Sequence, residues 1–84
     1  MSKGLDMPPT KEDIIKQVDN NFTYHPPFGD QISRYADIRD AGKQLAHIIV
    51  EITPVSSEQS TALTLLDQAV MMANAAIARN EVPE

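Results

Sequence analysis

Apolar residues along this chain recur at helical spacing, in two long runs and one short one. Tyr35, Ile38, Gly42, Leu45, Ile49 and Ile52 follow one another at gaps of 3, 4, 3, 4 and 3. That is an a/d seam held for nearly three heptads, with a small residue at its middle. The spacing predicts a helix from Gln31, with Asp30 as its N-cap, to about Thr53. Pro54 stops it, because the residue before a proline avoids helical ψ. Leu63, Leu66, Val70, Ala73 and Ile77 repeat at 3, 4, 3 and 4, and a second stripe of Ala62, Leu65, Ala69, Met72 and Ala76 lies beside them. Ser56 and Gln59 read as a capping box for this helix, which is expected to run to roughly Asn80. Between Gln59 and Ala78 the only formal charge is Asp67. Upstream, Thr10 with Asp13 makes a capping-box variant, and Ile14, Ile15 and Val18 supply an apolar stripe for about two turns.

Each long helix should span about 23 residues, or ~35 Å at 1.5 Å per residue. The break between them is a few residues, so they are expected to fold back as an antiparallel hairpin. One stripe of the second long helix can face the first. The other is left over, and a helix that is apolar around most of its girth must be buried on more than one side. The expected fold is therefore all-α: an antiparallel two-helix hairpin with a short N-terminal helix, assembling into a helical homo-oligomer. Residues 1–20 read as an N-terminal arm with that short helix, loose over 1–9, and residues 21–84 as the hairpin, in one domain overall. Gly42 in mid-helix costs about 1 kcal/mol relative to alanine, and a close helix crossing is its natural compensation.

Composition narrows the function classes. A chain of 84 residues without cysteine has no disulfide framework or thiolate zinc site, and is short for a self-sufficient core. Oligomerisation is the remaining remedy. A net charge of −5 is opposite to that of a DNA, RNA or anionic-membrane binder. No run of 18 apolar residues is present, so no membrane span is expected. The first ten residues carry no apolar leader core, and an intracellular location is expected. Glycine-rich phosphate loops, a Ser/His/Asp set and a histidine cluster for metal are all absent, which argues against catalysis and a metal cofactor.

The stretch 19–30, DNNFTYHPPFGD, cannot be regular helix, and it holds Phe22, Tyr24 and Phe28, three of the chain's four aromatics. Arg34, Arg39 and Lys43 follow on the next helix, where Asp30 and Asp40 could pair with Arg34 and Lys43 as on an ordinary solvated face. Arg79 closes a helix otherwise almost free of charge, a position that also suits the helix dipole. His25 has an equally plain reading as a turn histidine bonded to nearby backbone, and His47 one as a packing residue. Aromatics and arginines at the ends of an oligomerising hairpin fit a small planar anion: a ring stacks on a base, and a guanidinium forks onto phosphate.

The words F-T-Y-H-P-P at 22–27, G-D-Q and R-Y-x-x-I-R within 29–39, P-x-S-x-E-Q-S at 54–60 and A-N-A-A-I-A-R-N-E at 73–81 occur in this order. The stretch of about 21–81 that carries them resembles the hairpin domain shared by two phage anti-defence sponges. One captures cyclic oligonucleotides of CBASS immunity, the other cyclic ADP-ribose isomers of Thoeris. Without the strand-rich domain of the Thoeris type, this chain is the more similar to the short anti-CBASS type. The resemblance implies a non-enzymatic homohexamer in the cytoplasm of the infected bacterium, sequestering messengers without cleaving them. Cyclic dinucleotides such as cyclic GMP-AMP would lie between paired protomers, and cyclic trinucleotides near three-fold axes. It implies that Tyr24 stacks on a base of the dinucleotide, beside Pro27 and Phe28, and that Arg39, or failing it Lys43, neutralises phosphate. Arg79, with His25 nearby, is implied for the trinucleotide. A Thoeris-type sponge, a helical protein-interaction module with no nucleotide ligand, and a nucleotide-degrading enzyme are the alternatives.

Overall fold

A computed structural model describes residues 7–83 and contains three helices in this order: α1, Lys11–Asn21; α2, Gln31–Ile52; and α3, Ser57–Asn80. Among the described residues there is no strand. Most of the expected loose arm over 1–9 lies outside the described residues.

Two of the three helices start at a side-chain cap. At α1 the Thr10 hydroxyl accepts from the Asp13 amide at 3.1 Å, and the Asp13 carboxylate accepts from the Thr10 amide at 3.0 Å, a complete capping box. This helix continues through Asp19, Asn20 and Asn21, a turn longer than expected, and the Phe22 amide closes it onto the Val18 carbonyl. At α3 only half of the expected box forms. Ser56 accepts from the Gln59 amide, but the Gln59 side chain reaches back to the carbonyl and hydroxyl of Thr53 instead, bracing the turn across Pro54. Asp30 precedes α2 without capping it: its backbone, at φ −92° and ψ 14°, is not the extended form an N-cap takes, and its Oδ1 accepts from Arg34 at 3.0 Å. The turn before it needs a left-handed residue, which Gly29 supplies at φ 58°.

α2 and α3 form the hairpin. Gly42 meets Val70, and eleven residues away along each helix Gln31 meets Glu81, as an antiparallel register requires. A methyl group at Gly42 would stand 2.5 Å from Val70 Cγ2, so the backbones approach here as only glycine permits. On α3 the stripe Leu63, Leu66, Val70, Ala73 and Ile77 is half-buried along this seam, whereas Leu65, Ala69, Met72 and Ala76 of the other stripe are exposed. Gln31, 2% exposed, is the only fully buried side chain among the described residues.

The shape is correspondingly open. The radius of gyration is 16.8 Å, against about 12 Å for a compact chain of this length. The accessible surface is 7067 Å², against roughly 5,000 Å² for a compact monomer of this size. α3 is also long and apolar enough to cross a bilayer by length and composition, with a mean hydropathy of 1.3 in its most apolar window. The helix holds no contiguous apolar run of that length, because Thr, Gln and Asn interrupt it, and Asp67 is the one charge within its span from Ser60 to Ile77. Its seam partner α2 carries six charged residues, so a bilayer that took in the hairpin would have to take those charges too.

A second link closes the open end of the hairpin. Glu81, just past α3, accepts both terminal nitrogens of Arg34 at 2.7 and 2.6 Å and the Gln31 amide at 3.0 Å. The Arg34 guanidinium, and then the Gln31 amide, hold the Glu81 carboxyl down at about 2.

Two outcomes follow. In Gly42→Ala the gain in helix propensity, about 1 kcal/mol, is expected to lose to overpacking of about 1–3 kcal/mol against a stiff β-branched side chain. Urea unfolding should show a net loss, and adding Val70→Ala should relieve the clash. A more stable Gly42→Ala would mean that the crossing is loose. For Glu81, a depressed carboxyl stabilises the fold above its ordinary value of 4.5 and loses that effect as pH falls toward 2. The difference in melting temperature between wild type and Glu81→Gln should therefore be full at neutral pH and close over that window.

Candidate functional site

The cations of the hairpin divide into one that is occupied and three that are not. Arg34 is held by Asp30 and Glu81, and those bonds raise its guanidinium above its ordinary value. Arg39, Lys43 and Arg79 make no ion pair with any described residue, and Asp40 does not pair with Lys43. The ion-pair reading thus holds for Arg34 and not for Lys43, while Arg79 stands in the last turn of α3, where it suits the helix dipole as expected. In a chain of net charge −5, three unpaired cations near one flank of the α2–α3 seam are a local concentration of positive charge.

Two hollows open to solvent adjoin along that flank, and Arg39 lines both. The first, about 240 Å³, lies over the close crossing: Gly42, Leu66 and Val70 make an apolar floor, and Arg39, Lys43 and Asp67 stand around it. The second, about 410 Å³, is lined by His25, Tyr35, Arg39, Asn74, Ala78 and Arg79 and by no carboxylate. Asn74 Oδ1 is buried there without a hydrogen-bond partner, a state that a native fold keeps rare.

Asn20 assembles the second hollow. Its side-chain amide donates to the Arg79 carbonyl at 2.8 Å, and its own carbonyl accepts from His25 Nε2 at 2.9 Å. One residue at the end of α1 thereby fixes the end of α3 and the ring of His25. Because Nε2 carries the donated proton, Nδ1 is the ring nitrogen left for a ligand. Arg79 is half-buried and also faces a third hollow, of about 240 Å³, between α1 and α3.

The structure therefore brings together Arg39 with Lys43, and Arg39 with His25 and Arg79, in adjoining hollows of one chain. It does not bring Tyr24 or Pro27 to either. Tyr24 is 80% exposed, and Pro27 is exposed beside it. Phe28 is half-buried and lines a separate hollow with Gly29, Asn80, Glu81 and Val82. Reasoning from sequence passed over Asn20, Asn74 and the site-lining role of Tyr35. Signals existed for two of them: Tyr35 stands four residues before Arg39, on the same helix face, and Asn74 is a polar interruption in a run of small apolar residues.

No curated protein and no solved structure matches the chain. The Acb2/Tad1 hairpin domain matches residues 13–78, taking in most of α1, all of α2 and α3 as far as Ala78. A match over more than half the chain, on a fold that is a helical hairpin, settles its relationship: the protein belongs to the Acb2/Tad1 hairpin family of anti-CBASS and anti-Thoeris sponges, which implies a phage sponge that binds cyclic nucleotide signals.

Proposed function

We propose that this protein sequesters cyclic di- and trinucleotide immune messengers without cleaving them, and so blocks activation of CBASS effectors in the cytoplasm of the infected bacterium. The observation that carries the reading is Arg39, unpaired among the described residues and shared by two hollows. Arg39 and Lys43 neutralise phosphate over an apolar floor where a base can lie. Arg79 holds a second anionic group, that of a cyclic trinucleotide, with His25 beside it on the same hollow.

Tyr24, with Pro27 and Phe28 beside it, stacks on the ligand from a neighbouring copy. Its exposure supports that geometry, as does a surface excess of roughly 2,000 Å², which falls in the range of obligate interfaces. The assembly is a homohexamer. Tight capture demands such closure: nanomolar binding is about −12 kcal/mol, more than one open hollow on one chain can supply. Long-range repulsion from the net charge of −5 is screened beyond ~8 Å at physiological salt, so the local arginines decide. The exposed stripe of Leu65 and Met72 also favours the alternative of a protein-interaction module.

A thermal-shift screen with cyclic di- and trinucleotides and a cyclic ADP-ribose isomer separates these readings, with bound ligand recovered and weighed by mass spectrometry. A ligand at 1,000 times its dissociation constant adds about 4 kcal/mol and raises the melting temperature by several degrees. Intact ligand is expected on recovery. Altered product would mean an enzyme, and a flat response across the panel would leave the interaction module. In Arg39→Ala, loss of a charge-assisted phosphate contact should weaken binding about ten- to hundredfold, or about 1.5–3 kcal/mol, by calorimetry. Multi-angle light scattering should return a hexamer.

A further inference from the structure

Asp67 stands where an anion-binding hollow has least use for it. It is the one formal charge on α3 between Gln59 and Ala78, and it shares the smaller hollow with Arg39 and Lys43. Neither a dipole role nor an ion-pair role accounts for this exposed aspartate. At mid-helix it is too far from either end to serve the dipole. Its neighbours four residues away are Leu63 and Met71, so it has no helical ion-pair partner. It makes no salt bridge with Arg39 or Lys43 across the seam. An exposed carboxylate beside unpaired cations weakens their hold on phosphate, unless it is itself a ligand contact.

We propose that Asp67 reads the base of the bound nucleotide and selects guanine over adenine. The inference rests on the sponge reading above. An ionised carboxylate offers two acceptors and no donor. The pairing edge of guanine presents two parallel donors, N1–H and the N2 amino group, so the carboxylate can take both in a forked, charge-assisted pair. Adenine presents one amino donor beside the N1 lone pair, which faces the second carboxylate oxygen in repulsion. Gly42, Leu66 and Val70 give the base an apolar floor, with the cations on one side and Asp67 on the α3 side. The carboxylate also repels phosphate from its own wall. It thereby sets the register, with phosphate toward Arg39 and Lys43 and base edge toward Asp67.

Calorimetric titration of the full chain with cyclic di-GMP and cyclic di-AMP, which differ in the purine alone, tests this against Asp67→Asn. The wild type is expected to prefer cyclic di-GMP by about tenfold or more. Asparagine carries one donor and one acceptor and matches adenine, so Asp67→Asn should weaken cyclic di-GMP and tighten cyclic di-AMP, bringing their ratio to unity or inverting it. An unchanged ratio, with both affinities moved by one factor, would show Asp67 acting as a bulk charge and overturn the inference while leaving the sponge intact. A wild type that prefers cyclic di-AMP would overturn it as well. Absence of binding to any cyclic nucleotide by the folded wild type would instead remove the sponge reading on which it rests.

Discussion

A helix packed against one neighbour can hide one of its faces, and α3 has two apolar faces. The seam with α2 takes up Leu63, Leu66, Val70, Ala73 and Ile77, and leaves Leu65 and Met72 in water. No hydrophobic side chain among the described residues is fully buried. What the hairpin lacks in burial it partly recovers in closeness, since Gly42 lets α2 come within contact of Val70 at mid-helix. That closeness also shapes the candidate site. Arg39 and Lys43 flank Gly42 at three residues before and one after, so the crossing that removes a side chain from the seam leaves cations beside an apolar floor.

Charge is sorted on the same scaffold. The one fully engaged arginine, Arg34, is spent on structure: Asp30 and Glu81 hold it, and Glu81 ties the end of α3 to the start of α2. The other hairpin cations are left without partners among the described residues, although acidic residues outnumber basic ones by 12 to 7 across the chain. Such an arrangement tolerates a negative total charge, because a ligand seated within a few ångströms of Arg39 interacts with that guanidinium far more than with screened carboxylates elsewhere.

What could be read in advance follows from the range of the interactions involved. Helical period and proline stops are local, and they predicted α2 and α3 to within a residue or so. Caps are local too, yet they were only partly legible. The Thr10–Asp13 box is complete, whereas Gln59 had a competing acceptor three residues ahead of Ser56 that spacing could not rank. The tight crossing was legible because a glycine in mid-helix demands compensation. The bonds of Glu81 to Arg34 and of Asn20 to Arg79 join residues 47 and 59 positions apart, and nothing in the local pattern pairs them. The candidate site was legible as a set of residue types. Its grouping was not, since only the antiparallel register shows that Arg39 serves both the Lys43 side and the Arg79 side.

The openness of those hollows bears on how a sponge can be built from so short a chain. A site that withholds a messenger from its receptor must bury most of the ligand's surface, commonly 70–90% for tight small-molecule sites. Here each hollow is a trough on the flank of two helices, with solvent above it. A third helix in the same chain could roof it. α1 does not, because the Asn20–Arg79 bond places its end beside the end of α3, on the hollow shared by Gln17, Met72 and Arg79. On the sponge reading, the roof is a neighbouring protomer, and the leftover apolar stripe and the exposed Tyr24 are two parts of one requirement. The stripe supplies the association, and association brings a ring down onto the base that a single hairpin can floor but not cover.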